Sequence, residues 1–195
     1  MENASQGHPH VAHGGPSRPE LWHAGPRESE ILLSLKGLGL AAITGRVGRW
    51  RASVVVDLEQ PSRYALDVVI DAGSLDTGES ARDDYARSSA FLDVARFPEM
   101  RFRSREIGAG DGGQTLTITG DLTIKDVTRE VRFVVAQDDP GSLLAGDSKL
   151  TFKGHVSIRR LDFGLRWQGE PEGATLAAGD VVDVDLSVSA RRGAK

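Results

Sequence analysis

The sequence contains no cysteine. That absence excludes disulfides, thiolate metal centres and cysteine nucleophiles. No run approaches the roughly 18 apolar residues that a helical membrane span needs. Aromatic residues are few, at 6% of 195 residues, so large rings to fill a core are scarce. A surplus of one charge is missing as well. The 24 lysines and arginines face 28 acidic residues, for a net charge of −4. This removes the electrostatic case for nucleic acid, which is usually bound by a basic surface. The N-terminal stretch has no apolar centre of the signal-peptide type. The expectation is a soluble cytoplasmic protein with no stable membrane insertion.

Residues 1–27 are rich in Gly, Pro, His and Ser. Such a composition buries too little apolar surface to offset ordering entropy, so a disordered tail is expected there. His8, His10 and His13 cluster in it, but a flexible segment lacks the supporting contacts of a metal site. No metal or cofactor is expected. Residues 28–192 form the folded domain.

Within that domain the dominant signal is period two, the mark of strands with one buried face. Leu66, Val68 and Ile70 alternate with polar neighbours, as do Leu116, Ile118, Leu122 and Ile124. Phe152, Val156 and Ile158 form another set, and Val182, Val184, Leu186, Val188 and Ala190 a fourth. With residues 30–38, 43–57, 100–103 and 131–135, about eight strands result. Turn signals separate several of them, and the link at Lys125-Asp126 reads as a hairpin. Clean alternation implies antiparallel strands, and eight of them close into a barrel to remove exposed edges. A barrel of that size holds side chains or one small ligand.

One insertion interrupts the strands, at residues 75–102. Asp76 or Thr77 is positioned to cap a short helix, Asp83 and Arg87 to pair on its surface, and Ala81, Tyr85, Ser88 and Leu92 to form its apolar stripe. Such a helix would plug or lid one mouth of the barrel.

Catalytic signals are lacking. Gly37, Gly39 and Ala42 match the GxGxxA fingerprint, but Ile43, Thr44, Gly45 and Val47 disfavour the helix it requires. His155, the one histidine of the body, faces outward by parity. The carboxylates Asp83 with Asp84, Asp138 with Asp139, and Asp183 with Asp185 read as solvated, as do Arg101, Arg103 and Arg105. There is no GxSxG elbow and no HExxH helix. The interior sets are Leu, Val, Ile, Phe and Met, with few large aromatics to fill a barrel centre, which suits either a dry core or an apolar tunnel for a long greasy chain.

Four motifs in order then carry a resemblance. They are Ser74-Leu75-Asp76-Thr77-Gly78 continuing through Arg82-Asp83, Arg87-Ser88, Phe91-Leu92-Asp93-Val94 and Arg96-Phe97-Pro98-Glu99-Met100; Gly120 to Arg129; Asp162-Phe163-Gly164; and Gly179 to Val184. In these the chain resembles the YceI family of lipocalin-like barrels, over residues 29–192. The resemblance implies an eight-stranded antiparallel barrel with a helical insertion, an apolar tunnel for polyisoprenoids or related amphiphiles, and a homodimer as one available assembly. Three departures stand out. Gly37 follows Lys36 where many members have His, Tyr85 takes another frequent His position, and Asp126 replaces a hairpin glycine, where it would adopt the left-handed turn. The tunnel lining implied, by parity, is Leu35, Val56, Leu66, Val68, Ile70, Phe91, Phe97, Phe102, Leu116, Ile118, Phe133, Phe152, Val156, Phe163 and Leu186, with Trp50 and Trp167 at a rim.

The functional expectation is a non-enzymatic carrier or sequestering protein for an isoprenoid, a quinone or a similar lipid. An enzyme working in the same cavity, or an interaction module with a collapsed core, are the alternatives.

Overall fold

The computed structural model describes residues 19–36, 42–57, 60, 63–110, 115–138, 148–167 and 179–193. Eleven strand segments appear: β1 Glu20–Ala24, β2 Glu30–Leu35, β3 Ile43–Val47, β4 Trp50–Val56, β5 Ala65–Asp71, β6 Leu75–Asp76, β7 Glu99–Ala109, β8 Thr115–Ile124, β9 Val127–Gln137, β10 Lys149–Arg159 and β11 Val181–Arg192. One helix, α1 (Ser80–Arg87), lies between β6 and β7. Neighbouring strands are antiparallel, and the ring β1-β4-β5-β7-β8-β9-β10-β11 closes because β1 also pairs with β11.

The eleven segments make eight staves, since three staves are broken in two. β11 pairs with β1 through Ala190–Arg192 and with β2 through Val182–Ser187. β4 then pairs with β1 while β3 pairs with β2, and β5 pairs with β4 while β6 pairs with β3. The breaks have local causes. The Gly48 N–H donates to the Ser74 carbonyl at 3.0 Å, and the Arg49 N–H donates to Ser74 Oγ at 3.0 Å. Asp71 accepts from the Gly73 N–H at 2.9 Å and so starts the 3-10 turn Ala72–Ser74 that splits β5 from β6.

Opposite these broken staves, β7 to β9 are long and continuous. β7 carries a bulge between Ser104 and Glu106, facing Gly120. A Cβ on Gly120 would lie 2.6 Å from Phe102 Cζ and 2.7 Å from Ser104 Cα, so only glycine lets β7 approach this closely. The β8–β9 hairpin turns at Lys125-Asp126, and the left-handed residue is Lys125, with φ 57°, rather than Asp126.

Three buried clusters pack within the barrel. Phe102, Ile118, Leu122, Val135 and Phe163 centre the first. Ile31, Val47, Trp50, Ala52 and Val184 centre the second, and Trp22, Val56, Leu150 and Ala190 the third. Trp22 corrects the boundary drawn from composition. Residues 20–24 lie in the Gly/Pro/His-rich stretch, yet they form β1, and Trp22 is fully buried. Local alternation in Glu-Leu-Trp-His-Ala outweighs the composition around it. His8, His10 and His13 lie outside the described residues. No described helix is long and apolar enough to cross a membrane.

The insertion folds as a helix, but with different contacts from those its sequence suggests. Its N-cap, Glu79, makes no side-chain cap bond. Asp83 points back instead: its Oδ1 accepts from the Thr77 N–H at 2.9 Å and from Thr77 Oγ1 at 2.7 Å. Asp83 is therefore buried, not solvated, and Arg87 pairs with Asp84. Arg87 also donates to the carbonyls of Gly73 and Leu75, tying α1 to the broken stave. The buried helix positions are Asp83 and Ala86, while Ala81 is exposed.

Candidate functional site

Where the staves break, the interior is not filled. A cavity of about 220 Å³ lies there. Ile31, Leu33 and Leu35 of β2 line it, with Leu32 turned outward between them. Val182 and Val184 of β11, Ile43 and Val47 of β3, and Ile70, Met100, Leu122, Ile124 and Ile158 add further aliphatic wall. The insertion supplies Ala86, Phe91 and Leu92, so it forms part of the cavity's own wall. Leu165 and Trp167 come from the segment after β10. The Trp167 ring lies 4.3 Å from Tyr85 and 5.9 Å from Phe91, which joins that segment to the insertion as an aromatic cluster.

The polar side chains on this wall are Thr44, Thr77, Arg82 and Arg160. Arg82 Nε donates to Thr77 Oγ1 at 2.9 Å, and its Nη2 lies 3.2 Å from Glu79 Oε2. Arg160 is 4% exposed; its Nε donates to the Gly179 carbonyl at 3.0 Å and its Nη1 to the Leu165 carbonyl at 2.7 Å. Among the described lining residues there is no carboxylate and no imidazole. Guanidinium groups stay protonated, so they can attract and orient a ligand but do not act as a neutral-pH acid or base.

Among the described residues, the constellation that looks most catalytic lies elsewhere. On the outer face of β10 and β11, His155 Nδ1 is 2.8 Å from Asp185 Oδ1, and His155 Nε2 is 3.4 Å from Ser157 Oγ. Ser157, however, donates its proton to Asp183 Oδ1 at 2.7 Å, so the imidazole does not activate it. His155 is exposed, as parity indicates. Asp183 and Asp185 thus hold partners on the surface, and Arg101, Arg103 and Arg105 do likewise with Glu99, Asp67, Asp121 and Glu130. No metal-binding group of acidic and histidine side chains occurs among the described residues. The stretch after Ala42 is strand β3 rather than a helix, so the GxGxxA match lacks its phosphate-binding terminus.

Of the fifteen residues drawn from sequence parity, Leu35, Ile70 and Phe91 line the cavity. Phe102, Leu116, Ile118, Phe133 and Phe163 pack in the first cluster, and Leu66 and Val68 pack against both the first and the second. Val156 and Leu186 belong to the second, Val56 to the third, and Phe152 touches the first and third. Phe97 lies outside all three, under the Arg96 guanidinium at 5.0 Å. Trp50 is a core residue at 7% exposure rather than a rim residue, because β4 turns it inward beside Ala52. Parity states which side of a strand faces in. It does not state the height along the barrel at which the interior is vacant, so Leu33, Val182 and Val184 are as visible as Leu35 but carry no separate signal, while Ala86 lies off the helical stripe expected at Ala81, Tyr85, Ser88 and Leu92.

A family model described as the YceI-like domain matches residues 22–190. A UPF0312 protein of Pseudomonas aeruginosa (strain LESB58) is 32% identical over 167 residues, covering 83% of this chain and 81% of its own. A UPF0312 protein of Enterobacter sp. (strain 638) is 32% identical over 158 residues, covering 79% and 76%. Among solved structures, Burkholderia cenocepacia BcnA superposes with a TM-score of 0.70 at 24% identity, over 83% of this chain and 95% of that one. A polyisoprenoid binding domain from Saccharophagus degradans superposes with a TM-score of 0.62 at 13% identity, over 88% and 98%. At these identities the two structures share the fold.

Proposed function

The chain belongs to the YceI-like domain family, and from that premise we propose that its barrel binds a hydrophobic chain in the cavity beside α1 and carries or sequesters it. The observation that carries this reading is the vacancy itself: about 220 Å³ bounded almost wholly by aliphatic and aromatic side chains. An apolar cavity takes apolar guests. The Saccharophagus degradans neighbour, described as a polyisoprenoid binding domain, supports an isoprenoid as the guest class.

Size sets a limit. An apolar cavity of about 150 Å³ accepts benzene, so by proportion this one accepts roughly nine carbons. A C10 prenyl chain therefore matches it. A longer chain has to leave the cavity or displace part of the first cluster. Nine buried carbons at about 0.8 kcal/mol each supply roughly 7 kcal/mol before ordering costs. The gross figure suits reversible carriage better than permanent retention.

The test is native mass spectrometry of the protein purified from its own host, followed by organic extraction. A stoichiometric prenyl or quinone-like species supports the carrier reading. A protein that is empty and also refuses C10 to C20 prenyl probes overturns it.

A further inference from the structure

The two ends of the barrel differ. Four connections gather at one of them: β2 to β3, the α1 insertion, the β8–β9 hairpin and β10 to β11. The cavity lies at that end, since Leu35, Ile124, Ile158 and Val182, which line it, stand where their strands stop or start there. It reaches the surface at Thr44, an exposed residue of its wall. Beside it the outer surface turns apolar. Leu161 is 37% exposed and Val181 43%, two of the five exposed large hydrophobic side chains among the described residues. They are neighbours, because the Leu161 N–H donates to Asp180 Oδ1 at 3.0 Å. Trp167, half-buried on the cavity wall, adds an indole of the kind that settles at a membrane interface. The charges at this end leave cations over. Among the described residues, the side chains of Lys36, Lys125 and Arg166 have no ion pair, whereas Glu79, Asp84, Asp93 and Asp180 each hold an arginine. Asp126 and Asp162 offset this only in part, and Asp162 already lies in the field of Arg159. Exposed apolar side chains beside free cations suit an anionic lipid surface.

We propose that this end of the barrel docks reversibly on an anionic lipid bilayer, with Leu161, Val181 and Trp167 set into the headgroup layer and the cavity beside it. This rests on the reading of the cavity as a chain-binding site. It adds the place where the guest is exchanged, because a chain that water does not dissolve has to enter and leave at a lipid surface.

The experiment mixes the full chain with vesicles of phosphatidylcholine, with or without phosphatidylglycerol. It reads co-sedimentation and the quenching of tryptophan by brominated lipid. Trp22 and Trp50 are buried in the barrel, so quenching reports Trp167. The protein should bind the anionic vesicles, less tightly as salt rises, and Trp167 should be quenched there. Leu161→Asp should weaken binding more than about tenfold. Arg166→Gln should weaken it about fivefold, the ratio for one cation at a charged membrane. Val134→Asp, which adds the same charge at an exposed position on the side of the barrel, should do much less. If Leu161→Asp does not fold, Arg166→Gln and the quenching decide the matter. A loss for Val134→Asp as large as for Leu161→Asp refutes the placement. No vesicle binding by a protein that still takes up geraniol refutes the docking and keeps the cavity reading. Vesicle binding without geraniol uptake overturns the cavity reading, and with it the exchange of a guest. Self-association that Leu161→Asp abolishes, without vesicle binding, gives the surface to a second copy and refutes the lipid partner.

Discussion

Ala86→Leu tests the cavity most directly. Ala86 is 4% exposed, sits on the inner face of α1 and lines the cavity. Leucine adds three carbons to that wall, and its helix propensity is close to that of alanine. If the space holds roughly nine carbons, about three are taken from the guest. At about 0.8 kcal/mol per carbon the guest loses roughly 2.4 kcal/mol, or about 60-fold in Kd. The folded protein moves the other way. The new methyl and methylene groups fill vacant space, so stability rises by about 1–2 kcal/mol after the rotamer entropy of leucine is subtracted. Geraniol titration followed by urea unfolding, without and with ligand, measures both quantities. Ala81→Leu, on the exposed face of the same helix, should change neither by much. A stable Ala86→Leu protein that binds geraniol with unchanged affinity would refute the placement of the guest. One that is destabilised would show that the space is not vacant.

Three further outcomes follow from the structure. Gly120→Ala should lose about 3 kcal/mol in urea unfolding, the upper end for overpacking, because the new Cβ meets backbone at Ser104 as well as Phe102; a loss under about 0.5 kcal/mol would deny the close approach of β7. Trp22→Ala should cost about 3–5 kcal/mol, and a cost below about 1 kcal/mol would remove residues 20–24 from the barrel wall. At Asp180, burial pushes the carboxyl up, but the Leu161 N–H and the Arg159 guanidinium together hold it below its usual range. Its contribution to stability is thus present above the unfolded carboxylate value and fades as pH falls through the lower folded one. Asp180→Asn should therefore be less stable than the parent at pH 7, with the gap closing in acid; a gap that stays constant from pH 7 to pH 2 would be the contrary result.

Strand parity made most of the barrel legible. The sets around Leu66, Leu116, Phe152 and Val182 all fall on observed strands, and the turn at Lys125-Asp126 is the observed hairpin. What stayed hidden depended on contacts distant in sequence. β1 could not be told from the tail by composition, because its partners, β4 and β11, lie far along the chain. Asp83 reads as a surface charge on any helical projection, yet the turn at Thr77 folds back onto it. Arg82 gave no sign of facing the cavity, since an arginine on a short polar helix ordinarily points to solvent.

The scarcity of aromatic residues also bears on where the cavity lies. Five of the six phenylalanines, Phe91, Phe102, Phe133, Phe152 and Phe163, pack in or against the first cluster, with Phe102 and Phe133 meeting edge to face at 5.5 Å, and of these five Phe91 alone also lines the cavity. The half of the barrel between β2, β3 and β11 is left mainly to Ile, Leu and Val. Space remains between these side chains, as an eight-stranded interior can either be filled by side chains or hold one small ligand. Ala86 and Val184 are among the small side chains on this wall, and a larger residue at either position would take up part of the space. The vacancy is more simply understood as space reserved for a guest, whose binding returns the packing that the protein's own side chains leave out.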